Sequence, residues 1–121
     1  WLGKQSHQAQ TAMIYVADHG ESLGENNIYL HGLPYSIAPD VQKHVPWITW
    51  LSPAMQSRTG TATPCLQKEL AQQRITHDNY FHSVLGLMDV KTGAYQPELD
   101  IFSACRKTVA AKQAAPAPAK S

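Results

Sequence analysis

Residues 11–32 read TAMIYVADHGESLGENNIYLHG, and the fold turns on this stretch. Ala12 to Ala17 is a continuous apolar run rich in β-forming residues. Such a run suits a strand buried on both faces, as in a parallel sheet. It stops at Asp18-His19-Gly20, with Glu21 and Glu25 close behind. Gly20, Gly24, Asn26 and Asn27 mark a loop. His31 follows His19 by twelve residues. In open α/β sheets, ligands sit beyond the carboxyl ends of the strands. Asp18 and His19 hold that position, and carboxylate oxygen and imidazole nitrogen are both good zinc ligands. Taken alone, the dipeptide equally fits a turn-capping aspartate beside a hydrogen-bonded surface histidine.

Working outward, Gln5 to Gln10 is polar and reads as a loop or the end of a helix. Leu33 to Gln42 holds Pro34 and Pro39, so it is expected to be irregular or only briefly helical. Val45 to Leu51 reads as a second strand, with Pro46 confined to its first residues or to an edge. Ser57 to Ala62 reads as a loop. Thr63-Pro64 has the form of an N-cap followed by a helical proline, opening a helix to about Gln73. A second helix is capped by Thr76 or Asp78. Its apolar positions Tyr80, Phe81, Val84, Leu85 and Met88 recur at spacings of three and four. His77 and His82 lie five apart and share no face, so both read as structural. His44 also reads as structural, because it precedes a strand at the end away from its ligand-bearing terminus. Trp47, Trp50, Tyr80 and Phe81 read as core. Strand, loop, strand, helix, helix is an α/β order, although two strands alone make a poor sheet.

The 121 residues suit one small domain, and an apolar fraction of 43% is ordinary for a globular chain. No apolar run approaches the roughly 18 residues of a membrane span. The chain opens at Trp1 without a methionine, which reads as a piece of a longer protein. The net charge of +1 is unevenly spread: residues 1–105 carry six cations against nine carboxylates, and four cations follow. The body lacks the basic stripe of a nucleic-acid binder, so no nucleic-acid partner is expected. Residues 108–121, with AAPAPAK, form an Ala/Pro/Lys tail too poor in bulky apolar groups to pack. Cys65 and Cys105 are forty residues apart, which suits neither a zinc knuckle nor a CxxC redox motif. From the residues alone, a disulfide and two buried thiols stay open.

The longer string ADHGESLGENNIYLHGLPYSIAP resembles the zinc-site segment of the phosphoethanolamine transferases that modify lipid A. This family includes the mobile colistin-resistance enzymes. The resemblance continues through HVPWITWLSPAM, ITHDNYFHSVLGLMD and AYQPELDIFSACR, and covers about residues 11–107. DHGESLGE together with YLHG is its most specific part. The implied fold is a partial alkaline phosphatase/sulfatase-like α/β sandwich, with helices packed on a mostly parallel sheet. Residues 1–107 would then be the C-terminal portion of a catalytic domain on the periplasmic face of the bacterial inner membrane. In the family, a threonine on zinc takes phosphoethanolamine from phosphatidylethanolamine and passes it to a lipid A phosphate.

Carried onto this chain, Asp18 and His19 match two zinc ligands. His31 matches the histidine that contacts the phosphoethanolamine group or a second zinc. The resemblance places the threonine nucleophile, a glutamate ligand and the membrane anchor upstream of Trp1, so the chain by itself is expected to be inactive. The oxidising periplasm it implies favours a disulfide between Cys65 and Cys105. Glu21 and Glu25 read first as solvated loop acids, and the alternative is that one of them orients a histidine. Tyr29 and Tyr35 flank His31, where they could border a lipid headgroup. Two other readings stay beside this one. A related transferase or hydrolase would act on glycans, phosphoglycerol or sulfate esters, and a non-catalytic remnant would only bind metal.

Overall fold

The computed structural model describes residues 1–106, and the expected tail at 108–121 lies outside them. Two compact units emerge. Ala12–Leu51 forms one; Trp1–Thr11 and the described residues from Ser52 onward form the other. Among the described residues, no helix is long and apolar enough to cross a membrane.

In the second of these units, α1 spans Leu2–Gln5. The site-bearing unit begins with β1, Ala12–Val16. Two short strands follow, β2 at Ser22–Leu23 and β3 at Tyr29–Leu30, and they pair antiparallel around a 3₁₀ turn at Glu25–Asn27. Asn26 and Asn27 both take positive φ there, a conformation asparagine tolerates better than most residues. A short helix α2, Asp40–Lys43, precedes β4, Trp47–Leu51.

β1 and β4 pair antiparallel, from Ala12 opposite Leu51 to Val16 opposite Trp47. The mostly parallel sheet expected from the apolar run is therefore not the pairing found among the described residues. A short apolar run reports that a strand is substantially covered; it does not report direction. Here neither strand is covered on both faces: Tyr15 and Ile48, opposite one another, are each 50% exposed. The antiparallel register also corrects His44. The start of β4 lies beside the end of β1, so His44 precedes β4 at the end from which Asp18 and His19 emerge.

After β4 come α3 at Pro53–Thr59, α4 at Thr63–Leu70 and α5 at Asp78–Leu87. α3 replaces much of the loop expected over Ser57–Ala62. Its signals are local: the Ser52 side chain accepts from the Met55 N–H, Pro53 opens the helix, and Gly60 ends it in a left-handed conformation. α4 starts one residue earlier than expected. Ala62 is its N-cap, and Thr63 hydrogen-bonds through N–H and hydroxyl to the Gln56 side chain instead.

The core of this unit gathers Met55, Leu66, Leu87, Ile101, Phe102 and Cys105. Cys65 and Cys105 form the disulfide, joining α4 to the chain near its described end. α5 turns inward a face that its apolar pattern does not mark. His82, Ser83 and Leu87 are buried, whereas Tyr80, Phe81 and Met88 are exposed. The two buried polar side chains of α5 have partners: Ser83 Oγ accepts from Ile101 N–H, and His82 Nδ1 accepts from Gln96 N–H. Tyr80 and Phe81 are thus not core residues, and His82 is the structural histidine expected.

Candidate metal centre

The site grows from the end of β1, where Asp18 and His19 leave the strand. The His19 Nδ1 lies 3.0 Å from the Gly20 carbonyl. A carbonyl can only accept, so Nδ1 carries the proton and the Nε2 lone pair is left free. That Nε2 stands 3.6 Å from Asp18 Oδ2. Two donors sharing one tetrahedral zinc at bonds of about 2.0–2.1 Å lie roughly 3.3 Å apart. The Asp18–His19 spacing is therefore close to that of two ligands on one ion, and the donor set of carboxylate oxygen and imidazole nitrogen suits zinc.

The segment after His19 is clamped to α2. Gly20 N–H donates to the Gln42 carbonyl at 3.0 Å, and Gln42 Nε2 donates to the buried Ser22 hydroxyl at 2.8 Å. The position requires glycine, because a Cβ at residue 20 would run into the Val41 carbonyl. One backbone feature thus holds both the histidine-bearing turn and the helix beside it.

The β2–β3 hairpin brings His31 back. Its ring centroid is 3.9 Å from that of His19. His31 Nδ1 donates to Glu21 Oε1 at 2.7 Å. This contact has hydrogen-bond length and is shorter than the spacing of two ligands around one zinc. Glu21 thus fixes the His31 tautomer and leaves its Nε2 open. His19, Glu21 and His31 each present a donor atom within 4.8 Å of the others, and all three residues are exposed. Asp18 is outside this group of three, though beside His19.

Glu25 is not brought to the histidines. Its carboxylate accepts from Leu23 N–H at 2.8 Å. Backbone hydrogen bonds from its own N–H, first, and from Leu23 hold its pKa below the usual carboxylate value. Of the two acids, Glu21 therefore meets a histidine and Glu25 meets the backbone, and both stay exposed.

A cavity of about 250 Å³ opens beside the two histidines, lined also by Leu33, Tyr35, Gln42 and Lys43. Of the two tyrosines flagged beside His31, Tyr35 lines it and Tyr29 is not among its walls. Lys43 carried no signal in the sequence, because it reaches the site through the Gly20–Gln42 clamp, not through a motif.

Residues 1–90 match the sulfatase family. The chain is 53% identical over 106 residues to phosphoethanolamine transferase EptA of Escherichia coli, covering 88% of this chain and 19% of that protein. It is 41% identical over 90 residues to phosphatidylethanolamine transferase Mcr-1 of Escherichia coli, covering 74% of this chain and 15% of that protein. The soluble domain of lipooligosaccharide phosphoethanolamine transferase A from Neisseria meningitidis superposes with a TM-score of 0.76 at 42% identity, over 87% of this chain and 34% of that one. The C-terminal periplasmic domain of EptC from Campylobacter jejuni gives a TM-score of 0.69, also at 42% identity, over 84% and 31%. The chain spans about a fifth of the length of the EptA relatives it matches.

Proposed function

The chain belongs to the sulfatase family, among relatives that are phosphoethanolamine transferases, and on that premise we propose that it supplies part of a zinc-dependent transferase centre. The reaction moves phosphoethanolamine from phosphatidylethanolamine to a lipid A phosphate, in the periplasm at the inner membrane, and confers resistance to polymyxins such as colistin. Asp18 and His19 hold the zinc, while the nucleophilic threonine and the remaining ligands come from elsewhere in the parent protein.

The observation that carries this reading is the arrangement of Asp18, His19 and His31. Two donors, His19 Nε2 and Asp18 Oδ2, stand 3.6 Å apart, and His19 Nδ1 is taken up by the Gly20 carbonyl. His31 sits 3.9 Å away, ring to ring, with its own Nε2 unengaged by Glu21. Zinc bound there would lower the pKa of a coordinated hydroxyl and offset phosphate charge. The work of the chain's own residues is to hold that ion, to orient it through the Gly20 turn, and to present His31 to the phosphoryl group. His31 Nε2 holds or hands over a proton at a phosphoryl or leaving-group oxygen, and Glu21 on Nδ1 keeps the ring in place.

The test is metal analysis beside a transfer assay in the parent enzyme. Asp18→Ala and His19→Ala should each release the metal and abolish transfer together, since both act on one ion. His31→Ala should lower transfer by about 10²-fold or more and keep most of the zinc. Full activity in either ligand variant would sink the assignment, and loss of all metal from His31→Ala would move that residue onto the ion.

A further inference from the structure

Resting on the phosphoryl-transfer reading above, we infer that Lys43 is a substrate-binding residue, whose ammonium holds a phosphate oxygen of the lipid-borne ester in the cavity beside His19 and His31. Three observations converge on it. Lys43 lines the same cavity as both histidines. Its side chain is 23% exposed, where an idle surface lysine would spread into water for entropy and hydration. Its place is set by α2, which the Gly20–Gln42 and Gln42–Ser22 hydrogen bonds clamp to the residues after His19.

The ammonium has partners, but ones that leave it available. Its Nζ lies 3.3 Å from Asp40 Oδ1, and the Asp40 side chain is 77% exposed. An ion pair open to water on one side is weak. The same Nζ stands 5.3 Å from the centroid of the ring of Tyr35, itself a residue of the cavity wall. A phosphate oxygen entering the cavity offers a more concentrated charge than the solvated aspartate, and lysine serves phosphate as a point charge. At about 250 Å³ the cavity falls below the ~300–1,000 Å³ of sites that enclose a drug-sized molecule. It therefore suits a charged headgroup and not a whole lipid. The donor's phosphodiester and the acceptor's phosphomonoester share this chemistry.

The experiment measures steady-state transfer by the parent enzyme carrying Lys43→Met, Lys43→Arg or Asp40→Asn, with donor and acceptor varied separately. Lys43→Met should raise KM for one of the two lipids by about 10- to 100-fold, the loss expected for a hydrogen bond to a charged group. Zinc content should stay unchanged. Lys43→Arg should restore most of the affinity, and Asp40→Asn, which frees the ammonium, should leave KM equal or lower. Diacylglycerol release without acceptor separates the sources: it falls if the donor is held and stays if the acceptor is. Both KM values within twofold of the parent enzyme in a folded Lys43→Met protein would overturn the inference. If Asp18→Ala is inactive in that same assay, the failure belongs to Lys43 alone; if Asp18→Ala is active, the transferase reading itself fails.

Discussion

Tyr95, Asp100 and Arg106 show how much one buried carboxylate can organise. Asp100 is buried and accepts from the Tyr95 hydroxyl at 2.6 Å, from its own neighbour Phe102 N–H at 2.9 Å, and from the Arg106 guanidinium. A Cβ at Gly86 would collide with the Asp100 carboxylate, so α5 reserves a glycine for this approach. Burial first, then the hydrogen bond to Asp100, pushes the Tyr95 phenol up to about 12, against an ordinary 10.0. The folded state thus holds this proton more tightly than the unfolded chain. Its contribution to stability is complete below pH 10.0 and is lost as pH rises towards about 12. The unfolding midpoint should fall across that window in the parent sequence and fall less in Tyr95→Phe, which has no phenol to ionise. Thermal melts of the two proteins across the window, compared as a difference, check it; parallel curves would remove Tyr95 from the account. None of this network was legible in the sequence, because Asp100, Tyr95 and Gly86 meet only through the loop that packs on α5.

Among the elements, legibility followed how local the determining interaction is. β1, β4 and α5 were readable from apolar runs and periodicity, and the turn at Glu25–Asn27 from its glycine and asparagines. The direction of β4 against β1 was not, because Val16 and Trp47 are thirty-one residues apart and nothing between them states a topology. The inward face of α5 is hidden from its apolar pattern for a different reason. A hydrophobic stripe assumes that burial is apolar, whereas His82 and Ser83 go inward to satisfy backbone N–H groups of the following loop. α3 is the opposite case, since its Ser52-Pro53 start and Gly60 stop are written in the chain. Ser52 Oγ also accepts from Thr11 N–H at 3.2 Å, and the residue is fully buried. Ser52→Ala therefore strands two donors, not one. It should cost at least the ~1 kcal/mol typical of a lost N-cap, and up to about 2 kcal/mol. Denaturant unfolding of the variant measures this, and a change below a few tenths of a kcal/mol would show that water replaces the hydroxyl.

At the scale of the whole chain, the strings DHGESLGE and YLHG, which carry the resemblance, fall on the segment where the structure gathers the donor atoms of His19, Glu21 and His31. The disulfide and the centre fall in different units of the chain. Closing the loop between Cys65 and Cys105 contributes up to about 4 kcal/mol in the chain-entropy model. Thiol counting on unreduced, denatured protein should accordingly find none free. The metal is a separate matter. Asp18 and His19 supply two donors, and Glu21 is engaged with His31 by a 2.7 Å hydrogen bond. A structural zinc takes four protein ligands and a catalytic one usually three with solvent. The 121-residue chain alone should thus bind zinc weakly and transfer no phosphoethanolamine, whereas the parent enzyme should do both. Competition against a zinc chelator, run on the chain and on the parent enzyme, makes the comparison directly. Tight binding by the chain alone would mean that Glu21 and His31 exchange their hydrogen bond for the ion and join His19 as a complete three-donor site. In that case Glu21→Gln should weaken zinc in the chain by orders of magnitude. If Glu21 only braces His31, the same substitution should leave the chain's weak zinc affinity where it was.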